Sequence, residues 1–231
     1  MMRVGTWNIH RGRAAFGRFR PELATEVIAE LGCDLLALQE AQHYLARGKP
    51  MLEEEAIRAR TGLVPLRVTV GQQGFRSNIL MAREGARVLR GPVGVRLGGM
   101  EPRGAIMTDL DLGHGPVRVL VAHLSLGAGR RAMQARVLLD AMREWPHLPA
   151  LILGDLNERR LDQGALSVLV PECGVPPQVA TFPAFRPLLA LDRVLSHPAG
   201  LVARLWAHDT PAARRASDHL PLLAEVALGA R

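Results

Sequence analysis

The chain predicts an α/β fold in which two β-sheets pack together and helices flank them. Strand-like and helix-like segments alternate with short connections, and the second half repeats the order of the first. Between them, Leu66 to Leu112 holds short apolar runs punctuated by Gly71, Gly74, Gly85, Gly91 and Gly98-Gly99, a meander and not a βαβ repeat. With 231 residues, 48% of them hydrophobic, the chain is near the upper size of one core, so a single domain over 1–231 is expected.

Val4 to Ile9 reads as the first strand. Pro21, at a position where its missing N–H costs nothing, opens a helix over Glu22 to Leu31 with Leu23, Val27, Ile28 and Leu31 at helical spacing. Leu35 to Gln39 is a buried strand. Glu53-Glu54-Glu55 suits the first turn of a second helix ending near Thr61-Gly62, because carboxylates favour the positive end of the helix dipole. Three or four strands follow between Leu66 and Leu112.

In the second half, Val117 to Ala122 is a strand, Arg130 to Trp145 a long helix and Ala150 to Leu153 a strand ending at Gly154-Asp155. Leu169 to Pro187 is polar, proline-rich and without periodicity, the signature of a mobile loop. Leu191 to Leu195, Leu201 to Trp206 and Leu222 to Val226 supply the closing strands.

No stretch approaches the ~18 uninterrupted apolar residues of a membrane-spanning helix. The first strand begins at Arg3-Val4, leaving no room for a signal peptide, so a cytoplasmic location and a monomer are expected. Cys33 and Cys173 match no zinc-ligand spacing and are expected to be reduced. The formal charge is +7, and Lys49 is the only lysine. An arginine-rich surface attracts polyanions, while a coding bias toward arginine gives the same composition without function.

Six segments each deliver polar side chains at or near the end of an apolar run: Thr6-Trp7-Asn8, Leu38-Gln39-Glu40, Ala122-His123-Leu124, Gly154-Asp155-Leu156-Asn157, Leu191-Asp192-Arg193 and Ser217-Asp218-His219. Strand ends of a packed core can aim several such groups into one cleft. Taken singly, Asn8 also reads as a turn former, Glu40 as a solvated carboxylate, Asp155 as a helix cap and His123 as a core-edge histidine. The histidines at 10, 43, 114, 147, 197 and 208 read as solvated. As a set, the six segments can bind a hard cation and hydrolyse a phosphoester.

These segments, in this order, resemble the endonuclease/exonuclease/phosphatase superfamily of DNase I-like fold. Arg76-Ser77-Asn78-Ile79-Leu80-Met81, Glu101-Pro102-Arg103-Gly104-Ala105, Arg131-Ala132-Met133-Gln134-Ala135 and Thr181-Phe182-Pro183 extend the resemblance over nearly the whole chain. It departs at Leu156, where the family usually has Phe in Gly-Asp-Phe-Asn, an apolar position that leaves the chemistry intact. The resemblance implies a four-layer α/β/β/α sandwich of two packed mixed sheets. It implies Mg²⁺ (or Mn²⁺) held by Glu40 with Asp218 and Asn8, and Asp155 as the residue that orients or deprotonates water. It further implies an Asp192–His219 dyad, His123 and Asn157 on the phosphate, and Asn78 and Arg103 as weaker substrate contacts. Either Asp155 or the dyad could be the base.

The substrate is left more open than the reaction, because one fold serves several chemistries through its loops. A phosphodiester of nuclease type is the preferred substrate, with nucleic acid as the expected partner. A phospholipid or sphingomyelin-type diester and a small phosphomonoester are alternatives, and aromatic content of 4% limits base-stacking platforms. A non-catalytic phosphate-binding module is disfavoured, since no expected site position is lost.

Overall fold

The structure is a computed structural model that describes residues 1–15, 17–42, 49–99 and 102–228. Its strands are β1 (Met2–Asn8), β2 (Leu35–Gln39), β3 (Leu63–Pro65), β4 (Ile79–Arg83), β5 (Arg87–Gly98), β6 (Arg103–Asp111), β7 (Pro116–His123), β8 (Ala150–Asp155), β9 (Asp192–His197), β10 (Val202–Ala207) and β11 (Leu222–Val226). The helices are α1 (Pro21–Leu31), α2 (Glu54–Thr61), α3 (Ala128–Arg143), α4 (Gly164–Cys173) and α5 (Pro211–Ala216).

Two mixed sheets form, in strand orders β10-β11-β1-β2-β4-β3 and β5-β6-β7-β8-β9. The glycine-punctuated middle of the chain is thus no continuous meander: β4 closes against β2, and β5 and β6 open the other sheet. Most central strands are buried on both faces, and alternate residues serve different cores. Val4, Leu35, Ala37, Val119, Val121, Leu151 and Leu153 fill the space between the sheets. Trp7, Leu36 and Leu38 face α1, α2 and α5, while Leu120, Ala122 and Ile152 face α3 and α4. The result is the four-layer α/β/β/α sandwich.

The reading of Leu169 to Pro187 as a loop needs correction, because its first five residues complete α4. Pro171 hid the helix, since proline is strongly disfavoured in a helix interior; here it falls in the last turn, where only one backbone bond is lost. The short α5 was also missed, although it starts on Pro211 and Thr210 caps it by accepting from the Ala213 amide. Cys33 and Cys173 are free, buried thiols whose pKa values burial pushes up to about 12. No helix among the described residues is long and apolar enough to cross a membrane.

Candidate active site

The strand period of two builds the site. Val4, Val121, Leu153 and Val194 all point between the sheets, so residues an even number of positions along the same strands share that face. At one end of the sandwich those residues are Asn8, His123, Asp155 and Asp192, where the apolar columns stop. The register aligns them: His123 pairs with Asp155 across parallel β7 and β8, and Asp155 with Asp192 across antiparallel β8 and β9. Gly154 is needed for this, because a Cβ there would lie 1.8 Å from the Ala122 carbonyl oxygen. Asn8, from the other sheet, donates its Nδ2 to Asp155 Oδ2 at 3.0 Å.

Asp155 is the hub. Its Oδ2 also lies 3.5 Å from His123 Nε2 and 3.9 Å from His219 Nε2, and its Oδ1 accepts the Asn157 amide at 2.9 Å. Their surroundings push the two imidazoles in opposite directions. Burial lowers the His123 pKa to about 4, with Asp155 opposing and Arg103 reinforcing that shift. Arg103 Nη1 donates to His123 Nδ1 at 2.6 Å, which requires that nitrogen to be the acceptor and leaves the ring proton on Nε2. Burial would also lower His219, but Asp192, Asp155 and Asp218 outweigh it and raise the pKa to about 10.

His219 Nδ1 lies 2.8 Å from Asp192 Oδ2, which also accepts the Thr181 hydroxyl. The Phe182 ring packs 4.8 Å from the imidazole, centroid to centroid, and Trp7 Nε1 donates to the His219 carbonyl at 2.8 Å. Ser217 Oγ donates to the Asn8 carbonyl at 2.7 Å, tying the end of the chain to β1. Asp192 Oδ1 is buried and has no partner.

Glu40 follows β2 with φ 50°, and Arg11 Nε lies 3.3 Å from its carboxylate. Asp218 Oδ1 is 3.7 Å from His10 Nδ1. The 3-10 turn His10–Gly12 bridges the two acids, since the His10 amide donates to Asn8 Oδ1 and the Arg11 amide to the Glu40 carbonyl. His10 therefore belongs to the site and not to solvent. His197 and His208 are also engaged, against the Glu172 carbonyl and Glu30, whereas His43 lies outside the described residues.

Asp155, Asp192 and His219 bring one ligand-capable atom each within 4.8 Å of one another, so the described residues can hold a divalent cation. His219 Nδ1 is already committed to Asp192, however, and a cation taking that nitrogen would have to break the bond. Glu40, Asp218 and Asn8 Oδ1 are oxygen donors of the kind a hard cation takes, and each touches the His10–Gly12 turn.

Asn157 adopts φ 51° and donates Nδ2 to the Leu124 carbonyl at 3.0 Å, leaving a second amide hydrogen. Asn78 is fully buried and donates to the Gly104 carbonyl at 2.9 Å, so its Nδ2 joins β4 to β6. Sequence reasoning assigned no role to Arg131 and Glu158, a buried pair at 2.7 Å. Gln134, placed in the resembling Arg131–Ala135 segment without a role, accepts the Ser125 amide at its Oε1 at 2.9 Å. Polar residues three apart on the buried face of α3 were the available signal. The described non-glycine residues with positive φ are His10, Arg11, Glu40, Arg76, Ser77 and Asn157, and all lie at this end of the sandwich. Such backbone costs roughly 1–3 kcal/mol per residue and concentrates where a ligand must be gripped.

Solved structures of similar fold include an endonuclease/exonuclease/phosphatase from Beutenbergia cavernae DSM 12333, at 21% identity and TM-score 0.73, covering 99% of this chain and 72% of that one. A mannosyl-6-phosphatase from Bacteroides thetaiotaomicron VPI-5482 matches at 15% identity and TM-score 0.65 over 98% of this chain and 99% of that one. The D. rerio TDP2 complex with a single-strand DNA product matches at 14% identity and TM-score 0.63, covering 96% and 97%. A comparison with curated proteins returned no match. The Endonuclease/Exonuclease/phosphatase family matches residues 5–219, a span that takes in every site residue above. The chain belongs to that family of phosphoric ester hydrolases.

Proposed function

We propose that the chain is a divalent-metal-dependent phosphodiesterase acting on nucleic acid, with Mg²⁺ or Mn²⁺ held by Glu40, Asp218 and Asn8 Oδ1. The observation that carries this reading is the convergence of Asn8, His123 and His219 on the Asp155 carboxylate. When bound, the cation supplies charge neutralisation at a phosphoryl oxygen.

Asp155 takes the proton of the attacking water. It suits that role better than the dyad, because His219 with a pKa of about 10 already carries its proton at neutral pH. His219 therefore acts as a donor, its Nδ1–H held by Asp192 and its Nε2–H free to meet a phosphate or leaving-group oxygen. Neutral His123 offers its Nε2–H, and Asn157 its second amide hydrogen, to the charge that develops on phosphorus oxygens. The single-strand DNA product held by the TDP2 neighbour supports a nucleic-acid substrate. The mannosyl-6-phosphatase neighbour favours a second reading, a phosphomonoesterase acting on a phosphorylated sugar.

A panel of plasmid DNA, single strands, RNA, bis-p-nitrophenyl phosphate, p-nitrophenyl phosphate and sphingomyelin, run with Mg²⁺, Mn²⁺ or chelator, tests the proposal. Metal-dependent cleavage of nucleic acid is expected, with Glu40→Gln losing both Mn²⁺ affinity by calorimetry and turnover. Unchanged affinity and rate in Glu40→Gln would remove the ligand assignment. Turnover of monoesters alone would select the second reading.

A further inference from the structure

Beside the reaction centre lies a cleft of about 530 Å³ whose lining includes Arg11, Lys49, Arg76, Arg103, Gln73 and Ser77. Its volume is typical of a ligand site, which runs ~300–1,000 Å³. Among its described lining residues four are cations and none is a carboxylate or an aromatic ring. The cleft opens from the centre itself, because Arg11 also pairs with Glu40 and Arg103 with His123. Lys49 and Arg76 lie in the same lining and are assigned no part in the reaction.

Arg76 is seated and not merely exposed. It and Ser77 both have positive φ, at 48° and 63°, in a turn closed by reciprocal backbone bonds between Phe75 and Asn78. The stem of Arg76 lies over Gly104 of β6, where a Cβ would come within 2.7 Å of Arg76 Cγ. The bare glycine therefore leaves room for an arginine fixed at the cleft wall.

We propose that this cleft is a subsite for a second phosphate of the substrate, one unit along the chain from the scissile diester, with Arg76 and Lys49 as its specificity-determining residues. The inference rests on the phosphodiesterase reading and narrows its substrate class. Cations read backbone phosphate and not base identity, and the four among the described lining residues select a phosphate-bearing strand. The substrate is thus a phosphate-repeating strand taken without regard to sequence. A small polyol with several phosphates presents the same chemistry without length dependence.

The test compares kcat/KM on bis-p-nitrophenyl phosphate, which has one phosphate, with oligothymidylates carrying one, two, three and six phosphates, and with a bisphosphorylated sugar. Arg76→Asn, chosen because asparagine tolerates positive φ, and Lys49→Gln are each measured after their melting temperatures are matched to the parent. Expected is a gain of at least tenfold for the parent from one to two or three phosphates. The variants should lose most of that gain and keep bis-p-nitrophenyl phosphate turnover within about twofold. A preference for the bisphosphorylated sugar with no dependence on oligonucleotide length would overturn the strand as substrate. Equal losses on all substrates, or no gain from the second phosphate, would overturn the subsite. No metal-dependent turnover of any ester by the parent would instead sink the phosphodiesterase reading.

Discussion

Individual residues in this site are set apart by their surroundings and not by their type. His123 and His219 flank one carboxylate, yet one sits among donors and buried surface and the other among three acids. The Asp192–His219 contact predicts that Asp192→Asn and His219→Ala each cost several orders of magnitude in rate. The double variant should lose little more than the worse single one, because members of one catalytic unit are not additive. Single-turnover rates of the three proteins check this, and losses that multiply would mean the two act separately. His123 gives a pH prediction with a definite sign. Its folded pKa of about 4 lies below its unfolded value of ~6.5, so the stability it contributes is present above pH ~6.5 and is lost as pH falls toward 4. In chelator, His123→Gln should therefore unfold with a shallower dependence on pH across that window, by on the order of 2 kcal/mol in denaturant titrations. Identical slopes for parent and variant would show that the ring is not held neutral.

At the level of elements, α3 joins the reaction centre to the outer layer. Arg131 bonds Glu158 and the Leu126 carbonyl, so one side chain braces the loop after β7 and the loop after β8 that carries Asn157. Arg131→Met leaves Glu158 buried without its partner and should destabilise by about 3–5 kcal/mol. The pair variant Arg131→Met/Glu158→Leu should recover much of that loss and still turn over slowly, because the loop around Asn157 is no longer braced. Urea melts alongside kcat separate the two effects, and a fully active double variant would show that the brace is stability alone. The same elements show where sequence was legible. Leu35–Gln39 and Leu222–Val226 are short runs dominated by apolar residues, and the observed strands share those limits. α4 and α5 were illegible because Pro171 breaks the helical pattern of one and the six residues of the other are too few to show a period. In the site, Asn8, His123, Asp155 and Asp192 could be found as continuations of apolar columns. The contacts that set their states could not, since Arg103 to His123, Asn8 to Asp155 and Arg76 over Gly104 depend on how distant strands pack.

For the whole molecule, the question is whether its charge is function or composition. A net +7 carried almost wholly by arginine follows equally from a biased codon pool and from selection for polyanions. The fold discriminates by where its arginines sit and what they are spent on. Arg58 pairs with Glu84 and Arg214 with Asp209, while Arg118 is spent inside the molecule on Asp109. Among the described residues, the cleft beside the reaction centre is lined by four cations and no acid, so the effective charge toward substrate is local. Binding of single strands to the inactive Asp155→Asn variant should then weaken with salt as counterions are released, by about 0.7 log units per log unit of salt for each phosphate contact. A slope near two to three is expected from a cleft of this kind, rising with oligonucleotide length until the cleft is filled and then levelling. Fluorescence anisotropy with labelled strands of increasing length at a series of salt concentrations measures it. A slope that continues to rise with length would assign the charge to the whole surface. A slope below one at every length would mean that the arginines record composition and that the substrate is a small ester.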